Sequence, residues 1–280
     1  GQSARYCSGR SMSGPSGRRH DLEMSRLAQI FKQNKKCFIP FVTAGHPDLK
    51  TTREIVLSLA EAGSHIVEIG IPFSDPIADG PIIQRSSFEA LGHGHSFSDY
   101  LNLVRELREQ TDVGLIFMTY LNPVLRYGRE KLDREAAEAG LDGILISDLI
   151  PEEYACMDPF KKLDTVFLAA PTSSDQRLET IQAASKGFVY VVARTGVTGK
   201  QSDVGQSAPD TVERLRRLTQ LPIAVGFGIT SAEDVRQVWQ YAEGAIVGSA
   251  IVRFIEEHRS DRNLAVKVGE YVRKDLISNA

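Results

Sequence analysis

His65-Ile66-Val67-Glu68-Ile69-Gly70-Ile71 is a short apolar, β-branched run with one acid inside it, and it leads straight into Pro72-Phe73-Ser74-Asp75-Pro76-Ile77-Ala78-Asp79-Gly80-Pro81. The first part reads as a strand of a parallel sheet covered on both faces, where apolar character is nearly continuous. The second part is a loop stiffened by proline. Burying an ionised carboxylate without a partner costs several kcal/mol, so a strand keeps Glu68 only under a compensating demand. The plainer reading is a partnered, satisfied acid; the functional one is a catalytic carboxylate.

Working outward, similar β-prone runs recur at Phe38–Thr43, Ile66–Ile71, Val113–Met118, Gly143–Ser147, Thr165–Ala169, Phe188–Ala193, Ile223–Phe227 and Gly244–Val247, with amphipathic helical segments between them. Eight strands alternating with helices predict an α/β fold, a (β/α)8 TIM barrel with extra short helices. Glu61-Ala62-Gly63 and Glu138-Ala139-Gly140 precede the second and fourth runs, and Gly187 and Gly244 the sixth and eighth. Glycine there fits a left-handed cap at the end of each preceding helix. A doubly wound open sheet is disfavoured, because no GxGxxG turn follows the first strand.

The chain has 280 residues, 42% hydrophobic and 25% charged, enough for one barrel-sized domain. A formal net charge of −3 argues against a general nucleic-acid or anionic-membrane surface. Cys7, Cys37 and Cys156 lie far apart without CxxC spacing, so neither a disulfide framework nor a zinc site is suggested. Residues 1–23 are rich in Gly, Ser and Arg, with no acid before Asp21. They read as a disordered leader, an expression tag or extended start before Met24 rather than a transit peptide, with residues 24–280 as a single barrel domain and a cytoplasmic location.

Barrels of this type carry their chemistry in the loops after the strands. Glu68 shares a strand face with Ile66 and Gly70, and the small Gly70 leaves room for a ligand. Asp75 and Asp79 taken singly are as well read as turn formers. With Glu68, Asp79 completes a pair of acids in different surroundings, suited to general acid/base work. Gly226-Phe227-Gly228 after the seventh run and Gly248-Ser249 after the eighth stand where such barrels bind phosphate through backbone N–H groups. Arg194-Thr195-Gly196-Val197-Thr198-Gly199 reads as a lid.

None of the eleven lysines lies in a predicted strand, and Lys200 alone falls in these loops, so a Schiff-base mechanism has no good candidate. His93-Gly94-His95 reads as loop rather than ligand, since no third ligand has suitable spacing.

Taken together, Pro40-Phe41-Val42-Thr43-Ala44-Gly45, the Glu68–Pro81 segment, Arg194–Gly199, Gly226-Phe227-Gly228-Ile229 and Gly248-Ser249-Ala250-Ile251-Val252 resemble the tryptophan synthase α subunit family in the order the family shows them. The resemblance implies retro-aldol cleavage of indole-3-glycerol phosphate to indole and glyceraldehyde 3-phosphate, with no metal. It implies Glu68 as the general acid/base, Asp79 as acceptor of the indole N–H, and Tyr190 beside them. Phe41, Tyr120 and Phe227 would pack on the substrate; Gly199, Gly228, Gly248 and Ser249 would hold its phosphate, with Arg194 and Thr198 in the lid.

The resemblance further implies a β subunit in an α2β2 heterotetramer, met through Pro72, Phe73, Asp75 and Asn122. That partner, not this chain, would hold pyridoxal phosphate. His46 takes the place of a frequent acidic residue of the family. A free-standing lyase that releases indole, and a catalytically silent activator of β, are the rival readings.

Overall fold

The structure is a computed structural model that describes residues 24–193 and 207–277. The leader 1–23, and the lid positions Arg194, Thr198 and Gly199, lie outside the described residues. Among the described residues there are nine parallel strands: β1 (Cys37–Thr43), β2 (Ile66–Gly70), β3 (Gly114–Thr119), β4 (Gly143–Ile146), β5 (Asp164–Val166), β6 (Leu168–Ala169), β7 (Val189–Val192), β8 (Ile223–Gly226) and β9 (Gly244–Val247). Their order in the sheet is β5-β4-β3-β2-β1-β9-β8-β7-β6.

The ninth strand comes from the predicted fifth run, which is divided at Phe167. Its first half pairs with β4 (Leu145 opposite Val166) and its second half with β7 (Leu168 opposite Tyr190). One extended segment thus faces both neighbours, and the sheet curls into a nearly closed barrel of eight staves. Helices follow the strands on the outside, with the short helix Leu121–Tyr127 added to the basic repeat between β3 and β4, and the short helix Pro151–Cys156 alone joining β4 to β5.

Period-two alternation divides the apolar residues into two layers. Ile39, Phe41, Ile66, Ile116, Met118, Leu145, Tyr190, Ala224 and Ile246 point into the barrel, and Leu27 and Phe31 from the helix Arg26–Gln33 join them from its N-terminal end. The alternate residues, among them Phe38, Val42, Val67, Ile69, Phe117, Val191 and Val225, pack under the outer helices. Cys37 is buried and Cys156 exposed.

The helix-end glycines follow expectation at Gly63 and Gly140, whose φ values are 105° and 90°. Gly244 does not. It is the first residue of β9, and a Cβ there would stand 2.6 Å from the Ala224 Cβ, so close packing between strands, not a left-handed turn, requires glycine. No described helix is long and apolar enough to cross a membrane.

Candidate active site

Glu68 sits at the middle of β2, paired in register with Phe41 of β1 and Ile116 of β3, and its side chain points into the barrel. It is 1% exposed, and its Oε1 has no hydrogen-bond partner among the described residues. Burial pushes its carboxyl up to about 8. At neutral pH the group therefore carries a proton.

Asp79 lies in the loop between β2 and the helix Pro81–Leu91 and is held at several points. Tyr120 Oη donates to Asp79 Oδ2 at 3.0 Å and accepts from Ala78 N at 3.1 Å, while Gln84 Nε2 donates to the Asp79 carbonyl at 2.8 Å. Burial pushes the Asp79 carboxyl up to about 6, and the Tyr120 hydrogen bond works in the opposite direction. Asp79 is therefore mostly ionised at neutral pH while Glu68 is not. Both carboxyls lie near enough to Tyr190 to reinforce the effect of burial, which holds its phenol protonated.

Glu68 and Tyr190 border a cavity of about 220 Å³ lined by Phe41, Glu68, Ile83, Met118, Tyr190, Phe227 and Ile246 along its walls, with Gly228, Gly248 and Ser249 at one end; Asp79 is not in the lining, which the loop enters at the next residue, Gly80. The walls suit a flat apolar ring. The far end suits an anion: Gly248 precedes the helix Ser249–Glu257 and no side chain among the described residues caps it, leaving its first N–H groups for a ligand. The chain reaches this end through two successive left-handed residues, Phe227 at φ 73° and Gly228 at φ 79°. A left-handed phenylalanine is strained, and such strain collects at functional sites.

Sequence reasoning misjudged Gly70. Its missing Cβ serves the ring of Phe41, whose Cζ would stand 2.4 Å from that atom, so the space belongs to a wall residue and not to a ligand. Gly226 plays the same part for Tyr190, with a Cβ falling 2.1 Å from Oη. Tyr120 does not line the cavity; it holds Asp79 and stacks on Phe73 with ring centroids 5.2 Å apart. Ile82, Ile83, Met118 and Ile246 were missed as lining residues. Met118 and Ile246 could have been found by extending the inward alternation of β3 and β9, whereas Ile82 and Ile83 depend on how the loop folds back.

Of the four residues assigned to a partner face, Pro72, Phe73 and Asp75 lie in the loop after β2 and Asn122 in the first turn of the helix Leu121–Tyr127 after β3. Pro72 is buried, Phe73 is half-buried against Tyr120, and Asp75 and Asn122 are exposed. Ile77 in the same loop is 82% exposed.

The family described as tryptophan synthase alpha chain matches residues 27–278. The chain is 42% identical over 258 residues to the tryptophan synthase alpha chain of Solibacter usitatus, covering 90% of this chain and 97% of that one. Among solved structures, tryptophan synthase subunit alpha from Legionella pneumophila superposes with a TM-score of 0.79 at 32% identity, covering 90% of this chain and 97% of that chain. A chain of the tryptophan synthase complex from Pyrococcus furiosus superposes with a TM-score of 0.76 at 35% identity, with coverages of 86% and 98%.

Proposed function

This chain belongs to the tryptophan synthase alpha chain family, whose members cleave indole-3-glycerol phosphate, and from that premise we propose that Glu68 and Asp79 carry the cleavage to indole and glyceraldehyde 3-phosphate. The observation that carries this assignment is the unequal ionisation of two carboxyls, Glu68 in the wall of an apolar cavity with a backbone anion cradle at its end and Asp79 next to the lining residue Gly80.

The indole ring lies between Phe41, Tyr190 and Phe227. Phosphate is held by N–H groups at Gly228, Gly248 and Ser249, with Arg194, Thr198 and Gly199 closing over it. Protonated Glu68 gives its proton to C3 of the ring, and the positive charge that develops on the indoleninium is stabilised by ionised Asp79, which accepts the indole N–H. Glu68, now a carboxylate, takes the proton from the hydroxyl on the carbon attached to C3. The C–C bond breaks, its electron pair returns to the ring, and the new carbonyl leaves as the aldehyde. Protons balance, and Glu68 ends as it began. The ring is its own electron sink, so the scheme needs no lysine imine.

The same proposal gives the chain a β subunit as partner, in an α2β2 assembly met through Pro72, Phe73, Asp75 and Asn122, with pyridoxal phosphate in the partner and a cytoplasmic setting. Exposed Ile77 beside those residues supports a covered face. The test is indole release from indole-3-glycerol phosphate with and without purified β subunit. A large rate increase on adding β supports the reading, and equal rates would make the chain a free-standing lyase.

A further inference from the structure

His46, in the turn after β1, is 3% exposed and takes no part in the chemistry above. Its Nε2 faces Glu256 Oε2 at 3.2 Å and its Nδ1 faces Glu89 Oε2 at 3.7 Å, and neither nitrogen makes a hydrogen bond among the described residues. From the solvent side Arg259 Nη1 lies 3.1 Å from Glu89 Oε2 and 3.1 Å from Glu256 Oε1. Four side chains thus form a closed figure in which each carboxylate has an imidazole on one side and a guanidinium on the other.

The placement of the two acids gives the figure its meaning. Glu89 stands near the C-terminal end of the helix Pro81–Leu91, and Glu256 near the C-terminal end of the helix Ser249–Glu257. The opposite ends of the same helices build the cavity: Pro81, Ile82 and Ile83 line it directly after the Asp79 loop, and Ser249 stands in the anion cradle. A helix moves as a rigid rod over this length, so the spacing of the far ends sets the spacing of the near ends. The two helices pack directly on each other, and a second cavity of about 340 Å³, lined by His46, Arg85, Ser86, Val252 and Glu256 among others, lies against the cluster.

We propose that His46 is a positioning residue which, as a buried ring set between Glu89 and Glu256, fixes the distance between the anion cradle and the Asp79 loop and so sets the affinity for the phosphate end of the substrate. This rests on the reading of the site given above. Desolvation holds His46 below the usual imidazole value against the pull of both glutamates, so at neutral pH the ring is neutral, with one N–H for the two acids, and acts chiefly as a spacer. Glutamine, a neutral donor of similar reach, is its conservative replacement. Ligand atoms of His46, Glu89 and Glu256 lie within 4.8 Å of one another, a spacing a metal ion could use, but the Arg259 guanidinium already stands between the two acids.

The test measures KM and kcat for indole release in the complex with β, together with dissociation constants for glycerol 3-phosphate and for indole, in H46A, H46Q and R259Q. H46A raises KM and weakens glycerol 3-phosphate by about tenfold, with kcat and indole affinity nearly unchanged. H46Q restores most of the loss, and R259Q, at a half-exposed residue that tolerates change, gives a smaller shift in the same direction.

Unchanged KM in both H46A and R259Q would overturn the proposal, as would equal losses in kcat and indole affinity. Should H46A fail to fold, H46Q and R259Q carry the test through the phosphate-specific loss. Zinc chloride that raises the Tm of the wild type but not of H46Q would make the cluster a metal site and overturn the positioning role. A wild type that releases no indole with β present would refute the functional reading instead, and glycerol 3-phosphate binding would still test the link.

Discussion

Tyr120 Oη donates to Asp79 Oδ2 at 3.0 Å and accepts from Ala78 N at 3.1 Å, so a residue at the end of β3 fixes both the position and the charge of an acid in the loop after β2. The bond stabilises the ionised carboxylate and partly offsets the burial that raises its pKa. In Tyr120→Phe the stacking ring remains and the hydrogen bond goes, so Asp79 titrates higher. The expected result is about a tenfold fall in kcat at neutral pH, with the acidic limb of the kcat/KM profile moved to higher pH. A profile that coincides with the wild type would show that the phenol only packs.

The two carboxyls also define the pH dependence of the wild type. Asp79 must be ionised and titrates at about 6, and Glu68 must be protonated and titrates at about 8. The kcat/KM profile is therefore a bell with limbs near those values, falling on the acid side as Asp79 protonates and on the alkaline side as Glu68 ionises. A rate that keeps rising through the upper limb would contradict the protonated state of Glu68.

Stability carries the same signature. Glu68 is raised from 4.5 to about 8 on folding, so between those values the unfolded chain has released a proton that the native chain keeps. Stability consequently falls as pH rises across that window, by the linkage between proton binding and folding. Glu68→Gln removes this dependence. Its Tm relative to wild type should increase steadily from pH 5 to pH 8, and a constant difference would show that Glu68 ionises in the folded protein as it does in the unfolded one.

Gly226 tests the wall of the cavity. A Cβ at that position would fall 2.1 Å from the Tyr190 Oη, so Gly226→Ala forces the buried phenol to move. A loss of about 1–3 kcal/mol in unfolding free energy is expected, with a rise in KM from the displaced ring. Unchanged stability and kinetics would mean that Tyr190 has another place to go.

At the opposite end of the barrel, Arg108 donates to the carbonyls of Gly140, Thr111 and Val113 and to Asp142 Oδ2, pinning the entries of β3 and β4. Removing it takes the closest cation from the largely buried Asp142, which keeps Leu115 N and Arg26, and leaves three carbonyls without the guanidinium donor. Arg108→Ala should cost about 3 kcal/mol of stability by urea unfolding and leave kcat and KM unaltered. A kinetic defect larger than the stability defect would contradict the division of labour between the two barrel ends.

The parts of this molecule that follow from periodicity were legible in the sequence. β1 to β4 and β7 to β9 stand within a residue or so of the apolar runs, because a strand covered on both faces must be apolar throughout. The break at Phe167 was not legible, since it depends on how one segment divides its hydrogen bonds between two neighbours. Glu68 announced itself as a charge inside such a run. Tyr120 as the holder of Asp79, Gly70 as space for Phe41, and His46 as a link between two helices were hidden, because each is a contact between elements distant in the chain. Lid residues Arg194, Thr198 and Gly199 stay where the sequence put them, as a proposal.

Glu68→Gln tests the central claim most directly, because it keeps the size and hydrogen-bonding reach of the side chain while removing its titration. Single-turnover indole release from indole-3-glycerol phosphate in the complex with β should fall by at least about 100-fold, with the fold intact and the dissociation constant for glycerol 3-phosphate unchanged. Near-normal turnover by this variant would contradict the assignment of Glu68 as the acid/base.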